Sequence, residues 1–388
     1  MGIDGRVVGL FAGIGGIELG LHQAGYQTDL LCEINPDAQA VLKARFPGLP
    51  LKPDVRKMKV LPKAEIVTAG FPCQDLSQAG KTAGIKGAHS GVVRWVFRLL
   101  NGSGSSPRWL LLENVPFMLQ LDSGRAMRFL VDQLEDLGFT WAFRVVDARS
   151  FGLPQRRQRV LLLASRTEDP REVLFQGDEG EPDPLDQDKV ACGFYWTEGI
   201  RGLGWGVDAV PTLKGGSTIG IPSPPAIRMP VDRMIVTPDI RDAERLQGFP
   251  YDWTLPAVEE GSGRKGPRWR LIGNAVSVPV ARWLGERLRD PKNYDAHGEK
   301  PLKRGESWPK AAWGRRGEAY RVDRSTWPVR EPYQHLADFL SFPTVPLSER
   351  ATSGFLARTK ISSLRFPKGF LRDVRAHRVR VRGLLPLA

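Results

Sequence analysis

Arg6-Val-Val-Gly-Leu-Phe-Ala-Gly-Ile-Gly-Gly-Ile-Glu-Leu-Gly-Leu-His-Gln-Ala-Gly25 reads as a short apolar strand, a glycine turn and a helix. Arg6 to Ala12 is the strand, Gly13-Ile14-Gly15-Gly16 the turn, and Ile17, Leu19, Leu21 and Ala24 carry the helical pattern that Gly25 closes. Glycine is needed where backbone must pass close to a ligand, and the first turn of a helix offers N–H groups that no backbone carbonyl accepts. The spacing is not the Gly-x-Gly-x-x-Gly of nicotinamide dinucleotide sites, which disfavours a dehydrogenase. A second strand, Asp29 to Ile34, sets Glu33 about twenty residues beyond the first glycine, where a ribose-binding carboxylate belongs in such folds. A solvated acid at a strand end is the plainer alternative; the preceding glycine turn favours the ribose.

Outward from this unit the pattern repeats. Pro36 opens a helix through about Phe46, and Asp54-Val55 follows a third short strand. Ile66-Val-Thr-Ala-Gly-Phe-Pro-Cys-Gln-Asp-Leu-Ser77 is an apolar strand broken by Gly70 and Pro72, which places Cys73 at the mouth of a sheet. A strand end is where open α/β sheets put their chemistry, although a free cysteine taken alone is most often a small buried hydrophobe. Gly80, Gly84, Gly87 and Gly91, with Lys81, Lys86 and His89 between them, suit a mobile basic lid or an ordinary connection. Val92 to Leu100 is helical, Trp109 to Val115 is a strand whose apolar run is cut by Glu113, and Gly124 to Gly138 is helical again. An acid inside such a strand costs stability unless it has a partner or a task. Trp141 to Val146 and Val160 to Ala164 are further strands, and Gln155-Arg156-Arg157-Gln158-Arg159 leads into the last of them. Strands alternating with helices predict an α/β fold, a doubly wound and mostly parallel sheet over residues 1–165.

From Arg166 to about residue 236 the chain is rich in Gly, Pro and Asp and reads as a small inserted domain containing Thr212-Leu213. Residues 237–290 return to helical pattern through Arg245-Leu-Gln-Gly-Phe-Pro250, Gly273-Asn-Ala-Val276 and a helix from Val278 to Leu288, completing the first domain. Of the formal charge of +13, residues 291–388 supply +11, from 20 Lys and Arg against 9 Asp and Glu. This extension also carries Trp308, Trp313, Tyr320 and Trp327, too aromatic for a disordered tail, so part of it should fold, with Arg375 to Arg382 as a basic strand or arm. No run reaches the ~18 apolar residues of a membrane span, and no signal peptide is apparent, so a cytoplasmic, nucleoid-associated protein is expected. The three cysteines form no Cys-x-x-Cys and the five histidines no ligand-spaced pair, so no metal is expected.

Phe11-Ala-Gly-Ile-Gly-Gly16, Gly70-Phe-Pro-Cys-Gln74, Glu113-Asn-Val115, Gln155-x-Arg157-x-Arg159, Arg245-Leu-Gln-Gly-Phe-Pro250 and Gly273-Asn-Ala-Val276 occur in this order, and over roughly residues 6–289 the chain closely resembles the DNA (cytosine-5)-methyltransferase family. The resemblance implies that Cys73 attacks C6 of a cytosine flipped out of duplex DNA, that Glu113 bonds N3 and the 4-amino group, and that Arg159 holds O2 with Arg157 supporting the pocket. It implies S-adenosylmethionine as cofactor, leaving as S-adenosylhomocysteine. Phe11, Ile14 and Gly16 would surround it, Glu33 and Ile34 would take the ribose side, Asp54 and Val55 the adenine, and Gly70, Pro72, Asn274 and Val276 the rest. Gln74, Ser77 and Lys81 of the lid, and Thr212 and Leu213 of a recognition domain at 166–236, would meet DNA. Val93 stands where the family often has Leu. The implied role is modification of restriction-type sites in a bacterium or phage, by a monomer on DNA. A transfer-RNA methylase of the same chemistry and a non-catalytic DNA-binding relative are the rivals. For residues 291–388 the reading is added phosphate contacts, against a packing or dimerising appendage.

Overall fold

In the strand Trp109–Asn114 every side chain is buried, Leu110 and Leu112 on one face, Trp109 and Leu111 on the other. A strand with no wet face has to lie between two helical layers, and the rest of the architecture follows from that. The structure, a computed structural model, describes residues 5–71, 91–102, 107–216, 223–259 and 267–383.

Strands β1 (Arg6–Leu10), β2 (Gln27–Cys32), β3 (Leu51–Lys52), β4 (Ile66–Gly70) and β5 (Trp109–Asn114) lie parallel in the order β3-β2-β1-β4-β5. Beyond β5 the sheet turns antiparallel, through β8 (Gln158–Ser165) to β6 (Thr140–Asp147), with the two-residue β7 (Gln155–Arg156) just before β8. The connection from Asp147 to Gln158 is too short for a crossover helix, and only an antiparallel neighbour can be reached that way. The sheet is thus doubly wound and Rossmann-like around the glycine turn, and mixed as a whole.

The helices longer than six residues are α1 (Gly16–Gln23), α2 (Pro36–Arg45), α3 (Val93–Gly102), α4 (Arg125–Asp136), α5 (Pro267–Asn274), α6 (Val278–Arg289), α7 (Glu349–Lys360) and α8 (Phe370–Gly383) among the described residues. α3 and α4 cover one face of the sheet, and α1 and α6 the other, where Ile17 and Leu21 meet Val280, Ala281 and Leu284. The return segment therefore completes the core begun by the N-terminal unit. α2 begins where the sequence says it should: Pro36 takes the first turn and the Asn35 side chain accepts the N–H groups of Asp37 and Ala38.

Residues 291–383 are built into both halves of the molecule. β15 (Ala311–Arg315) pairs antiparallel with β6, and β16 (Glu318–Arg321) and β14 (Lys300–Pro301) extend that edge. Trp308 packs edge-on against Trp141 and Phe143, each with ring centroids 5.9 Å away. The fully buried Arg144 fixes the join, donating to the carbonyls of Leu174, Gln176, Gly177 and Ser325 and pairing with Asp178 at 3.0 Å; burial pulls its guanidinium down to about 10.

A second sheet has the order β10 (Gly206–Val207), β9 (Cys192–Phe194), β12 (Ala226–Arg228), β13 (Ile235–Thr237) and β17 (Val345–Pro346), the last strand coming from the extension. One face, with Ile227 and Val236, packs toward Phe249, Leu271 and Ile272; the other, with Ala226 and Ile235, is covered by α7 and α8 through Phe355, Phe370 and Val374. Arg375 to Arg382, expected as a strand or arm, is the C-terminal part of helix α8. The Arg-Val alternation there has period two, but Phe370, Asp373, Val374, His377 and Val381 are the buried positions, and their spacing is helical.

Candidate active site

The carboxyl ends of β1, β2 and β4 converge on the glycine turn. Phe11 and Gly13 both have φ of 55°, a conformation that costs a non-glycine residue energy and that clusters at ligand sites. Gly15 has φ of 83° and caps α1 without a side-chain hydrogen bond, so the Gly16 and Ile17 N–H groups are open to an incoming anion, while the Glu18 N–H meets its own buried carboxyl. A side chain on Gly13 would meet nothing within 4 Å, so the space above the turn is open. Gly16 could carry none, because the carbonyl of Val276 lies against it, and this contact binds the return segment to the turn. Glu33 receives the Gly13 and Asn35 N–H groups, each at 2.8 Å, and fixes the loop after β2 beside the turn. Burial still raises its pKa. Next to it Ile34 leaves 61% of its surface exposed, an apolar platform at the rim of an open cradle. An open glycine turn, a free helix N-terminus, a strand-end carboxylate and an exposed apolar residue are what a nucleoside carrying an amino-acid tail requires.

The second group lies one strand across. Gly70 is paired in register with Glu113. Glu113 is 7% exposed, and its Oε1 lies 2.9 Å from Nε of Arg159, close enough for an ion pair but outside hydrogen-bonding alignment. Burial raises the Glu113 pKa against the opposing pull of Arg159 and Arg157. A carboxyl so placed is easily protonated and sits beside a fixed cation, the pair needed to donate a proton at one ring atom and hold a neighbouring carbonyl oxygen. Asn114, which sequence reasoning quoted without assigning a role, donates to the Phe71 carbonyl at 3.0 Å and accepts the Val115 N–H at 2.8 Å. It ties the end of β5 to the entrance of the Pro-Cys segment. Its polar side chain, buried beside Glu113, is the signal that could have found it.

Arg157, grouped in the sequence with the catalytic residues, turns its guanidinium onto backbone. It is 1% exposed and donates to the carbonyls of Leu213 at 3.3 Å, Gly273 at 3.2 Å and Ala275. Gly273 packs so closely on the Lys214–Gly215 backbone that a Cβ there would overlap it. Gln155 accepts the Leu213 N–H at 3.1 Å and donates to the Leu246 carbonyl at 2.7 Å, while Gln247 accepts from Ser277 and donates to Ile272. Motifs far apart in sequence thus meet at one buried joint, and Arg157 is its centre. Replacing Arg157 by methionine leaves three buried carbonyls unpaired and is expected to cost about 3–5 kcal/mol of unfolding free energy, read from the urea midpoint; an unchanged midpoint would contradict this role.

Other expected site residues are placed as follows. Leu213 is 2% exposed inside the core, so it is not a DNA-contacting side chain; being apolar and beside the joint, it anchors the small sheet instead. Thr212 is partly exposed but spends its hydroxyl on the Arg156 carbonyl at 2.8 Å. The Ile14 side chain is buried and its carbonyl accepts from Trp253, and Val55 is likewise core, so neither presents a side chain to the cradle. Asp54 caps the turn at 55–57 and is forked by Arg56 at 2.8 Å, which holds its carboxyl below the usual range. Asn274 is exposed at the end of α5. Pro72, Cys73, Gln74, Ser77 and Lys81 lie outside the described residues. The other two thiols, Cys32 and Cys192, are buried, and burial pushes them up to about 12 and about 11, so neither is a nucleophile at neutral pH.

Residues 5–190 match the family described as C-5 cytosine-specific DNA methylase. The chain is 51% identical over 363 residues to the type II methyltransferase M2.BsuMI of Bacillus subtilis strain 168, covering 91% of this chain and 92% of that one. It is 30% identical to M.NlaX of Neisseria lactamica over 73% of this chain and 96% of the relative. Among solved structures, the S. pombe Dnmt2 methyltransferase superposes with a TM-score of 0.53 over 73% of this chain and 98% of its own, at 17% identity, a likeness of fold. With an open glycine turn at the strand ends, a buried acid paired to arginine one strand away, and a near full-length type II methyltransferase at half identity, this chain belongs to the C-5 cytosine-specific DNA methylases and is a DNA (cytosine-5)-methyltransferase.

Proposed function

We propose that this chain methylates C5 of a cytosine turned out of duplex DNA at a specific site of the restriction-modification kind, through a covalent bond between Cys73 and C6. The observation that carries the reading is the register of Gly70 with Glu113 and the 2.9 Å approach of Arg159 to that carboxyl. Cys73 follows Gly70 by three residues, so the covalent chain alone keeps it within about 11 Å of the backbone opposite Glu113.

The chemistry assigned to each side chain follows from its surroundings. Glu113, whose pKa burial raises, donates a proton to N3 as the Cys73 thiolate forms the S–C6 bond, and the displaced ring electrons collect at C5. Arg159 holds O2 and draws electron density from the ring. S-adenosylmethionine, when bound, supplies an electrophilic methyl group for C5. Loss of the C5 proton to a base, with cleavage of the S–C6 bond and return of the N3 proton to Glu113, restores the thiolate, the acid and the aromatic ring. Phe11, Gly16, Glu33 and Ile34 hold the cofactor, with Gly70, Pro72, Asn274 and Val276 closing its pocket. Asp54 reaches the adenine if Arg56 shares it, and the backbones of Ile14 and Val55 line the walls. Gln74, Ser77, Lys81 and Thr212 meet the DNA. Residues 166–236 act as the target-recognition unit, the chain works as a monomer on DNA, and its place of action is the cytoplasm at the nucleoid; no described helix is long and apolar enough to cross a membrane.

Purified protein with labelled cofactor, offered duplex DNA and transfer RNA side by side, tests the substrate. Label on the duplex, at one sequence when methylcytosines are mapped, is the expected result; label on the RNA alone contradicts it.

A further inference from the structure

Between Glu349 and the C-terminus stand 10 Lys and Arg against 2 acidic residues, the steepest charge imbalance in the chain. One of the two acids, Asp373, is withdrawn from the surface: it is buried and pairs with Arg228 at 2.8 Å. That ion pair and the buried His377 seat α8 on the second sheet. The Ile235 N–H donates to Nδ1 of His377, which leaves Nε2–H to donate to the Leu347 carbonyl at 2.7 Å, so the ring is neutral and bridges β13 to the residue that follows β17. A helix held this firmly presents its opposite face as a fixed surface. On that face Arg375, Arg378 and Arg382 are exposed around Val379, which is 69% exposed. None of the three arginines has a hydrogen bond or ion pair among the described residues, whereas Arg372 is engaged by Asp373 and Arg380 by the Asp232 carbonyl. From Arg375 to Arg382 the helix rises about 10.5 Å, a length over which one strand of duplex DNA presents about three phosphates.

We propose that this arginine face of α8 is a second, sequence-independent phosphate-binding surface, which grips duplex DNA flanking the site being methylated. The proposal rests on duplex DNA being the substrate. Flanking contact follows from placement: α8 covers the face of the second sheet that carries Ala226 and Ile235, while the opposite face, with Ile227 and Val236, packs toward the buried joint around Arg157. Arginine suits the task because its fork bonds phosphate oxygens without reading bases. A solvated face would be expected to mix charge signs; three unpaired cations of one sign on one stripe self-repel and gain by meeting a polyanion.

The test compares the full-length protein with two triple variants, Arg375→Gln/Arg378→Gln/Arg382→Gln and the corresponding Lys triple. Each is bound to a long duplex centred on the mapped site and to a short duplex that ends at its edges, across a salt series. The Gln triple should lower the slope of log affinity against log salt by about 2–3 units on the long duplex and leave it unchanged on the short one, with the Lys triple close to wild type. Methylation of the short duplex by the Gln triple at the wild-type rate shows that it is folded. An unchanged slope on the long duplex overturns the proposal, and if the Gln triple then also changes oligomeric state, the face is a protein interface. Equal losses on both duplexes overturn flanking contact. Failure of the wild type to methylate either duplex would instead sink the assignment of the substrate.

Discussion

Replacing Cys73 by alanine is expected to lower methyl transfer to DNA by roughly 10⁴-fold or more, the scale on which loss of a covalent nucleophile acts. Binding of DNA and of the cofactor should survive, because the cradle is built from Phe11, Gly13, Glu33 and their neighbours and the protein is held together elsewhere. The size of the effect follows from the lack of any substitute: Cys32 and Cys192 are buried with their thiols raised far above neutral pH. Single-turnover transfer of labelled methyl, beside equilibrium binding of DNA, separates the two quantities. Residual turnover within tenfold of wild type would remove the covalent route.

The second large effect concerns Glu113. Changing it to glutamine should lower kcat by about 10³-fold, because an amide can still donate a hydrogen bond at N3 but has no proton to transfer. Alanine should lower it further. The pH dependence gives a sign as well as a size. Burial raises the folded pKa of Glu113 and its active form is the protonated one, so its contribution to the rate is full below that pKa and lost as pH rises through it, while the Cys73 thiolate sets the acid limb. In the glutamine variant the alkaline limb assigned to this group should be missing. A variant that keeps the limb, or loses activity only through weaker cofactor binding, would show that the acid acts elsewhere.

What could be read in advance follows from how local each signal is. The unit from Arg6 to Gly25 declares itself because strand, turn and helix occupy one continuous stretch; Glu113 stands out because carboxylates rarely interrupt apolar strands, and Glu33 because it follows the glycine turn by about twenty residues, just past the end of β2. The extension is harder. β15 is a short strand whose partner β6 lies far back in the chain, and the residues that weld it there, Arg144 and Trp308, gain meaning only when the two are brought together. The Arg-Val alternation near residue 380 misleads because five residues fit two periods, and the buried His377 decides between them. Arg157 reads from its motif as a support of the base pocket, and its hydrogen bonds are to carbonyls of segments more than fifty residues downstream, which spacing alone does not reveal. Leu213 is a similar case: its neighbour Thr212 is partly exposed, and the leucine is core.

The central claim is that a sulfur at position 73 adds to a pyrimidine beside the Glu113–Arg159 pair. Duplex DNA carrying 5-fluorocytosine at the mapped site, incubated with protein and cofactor, tests it most directly, because fluorine cannot leave C5 as a cation and the S–C6 bond is then not released. A stable protein–DNA adduct whose peptide maps to Cys73, absent in Cys73→Ala and slowed in Glu113→Gln, is the predicted result. An adduct at Cys32 or Cys192, or methylation of ordinary duplex with no adduct on the fluorinated one, would contradict it.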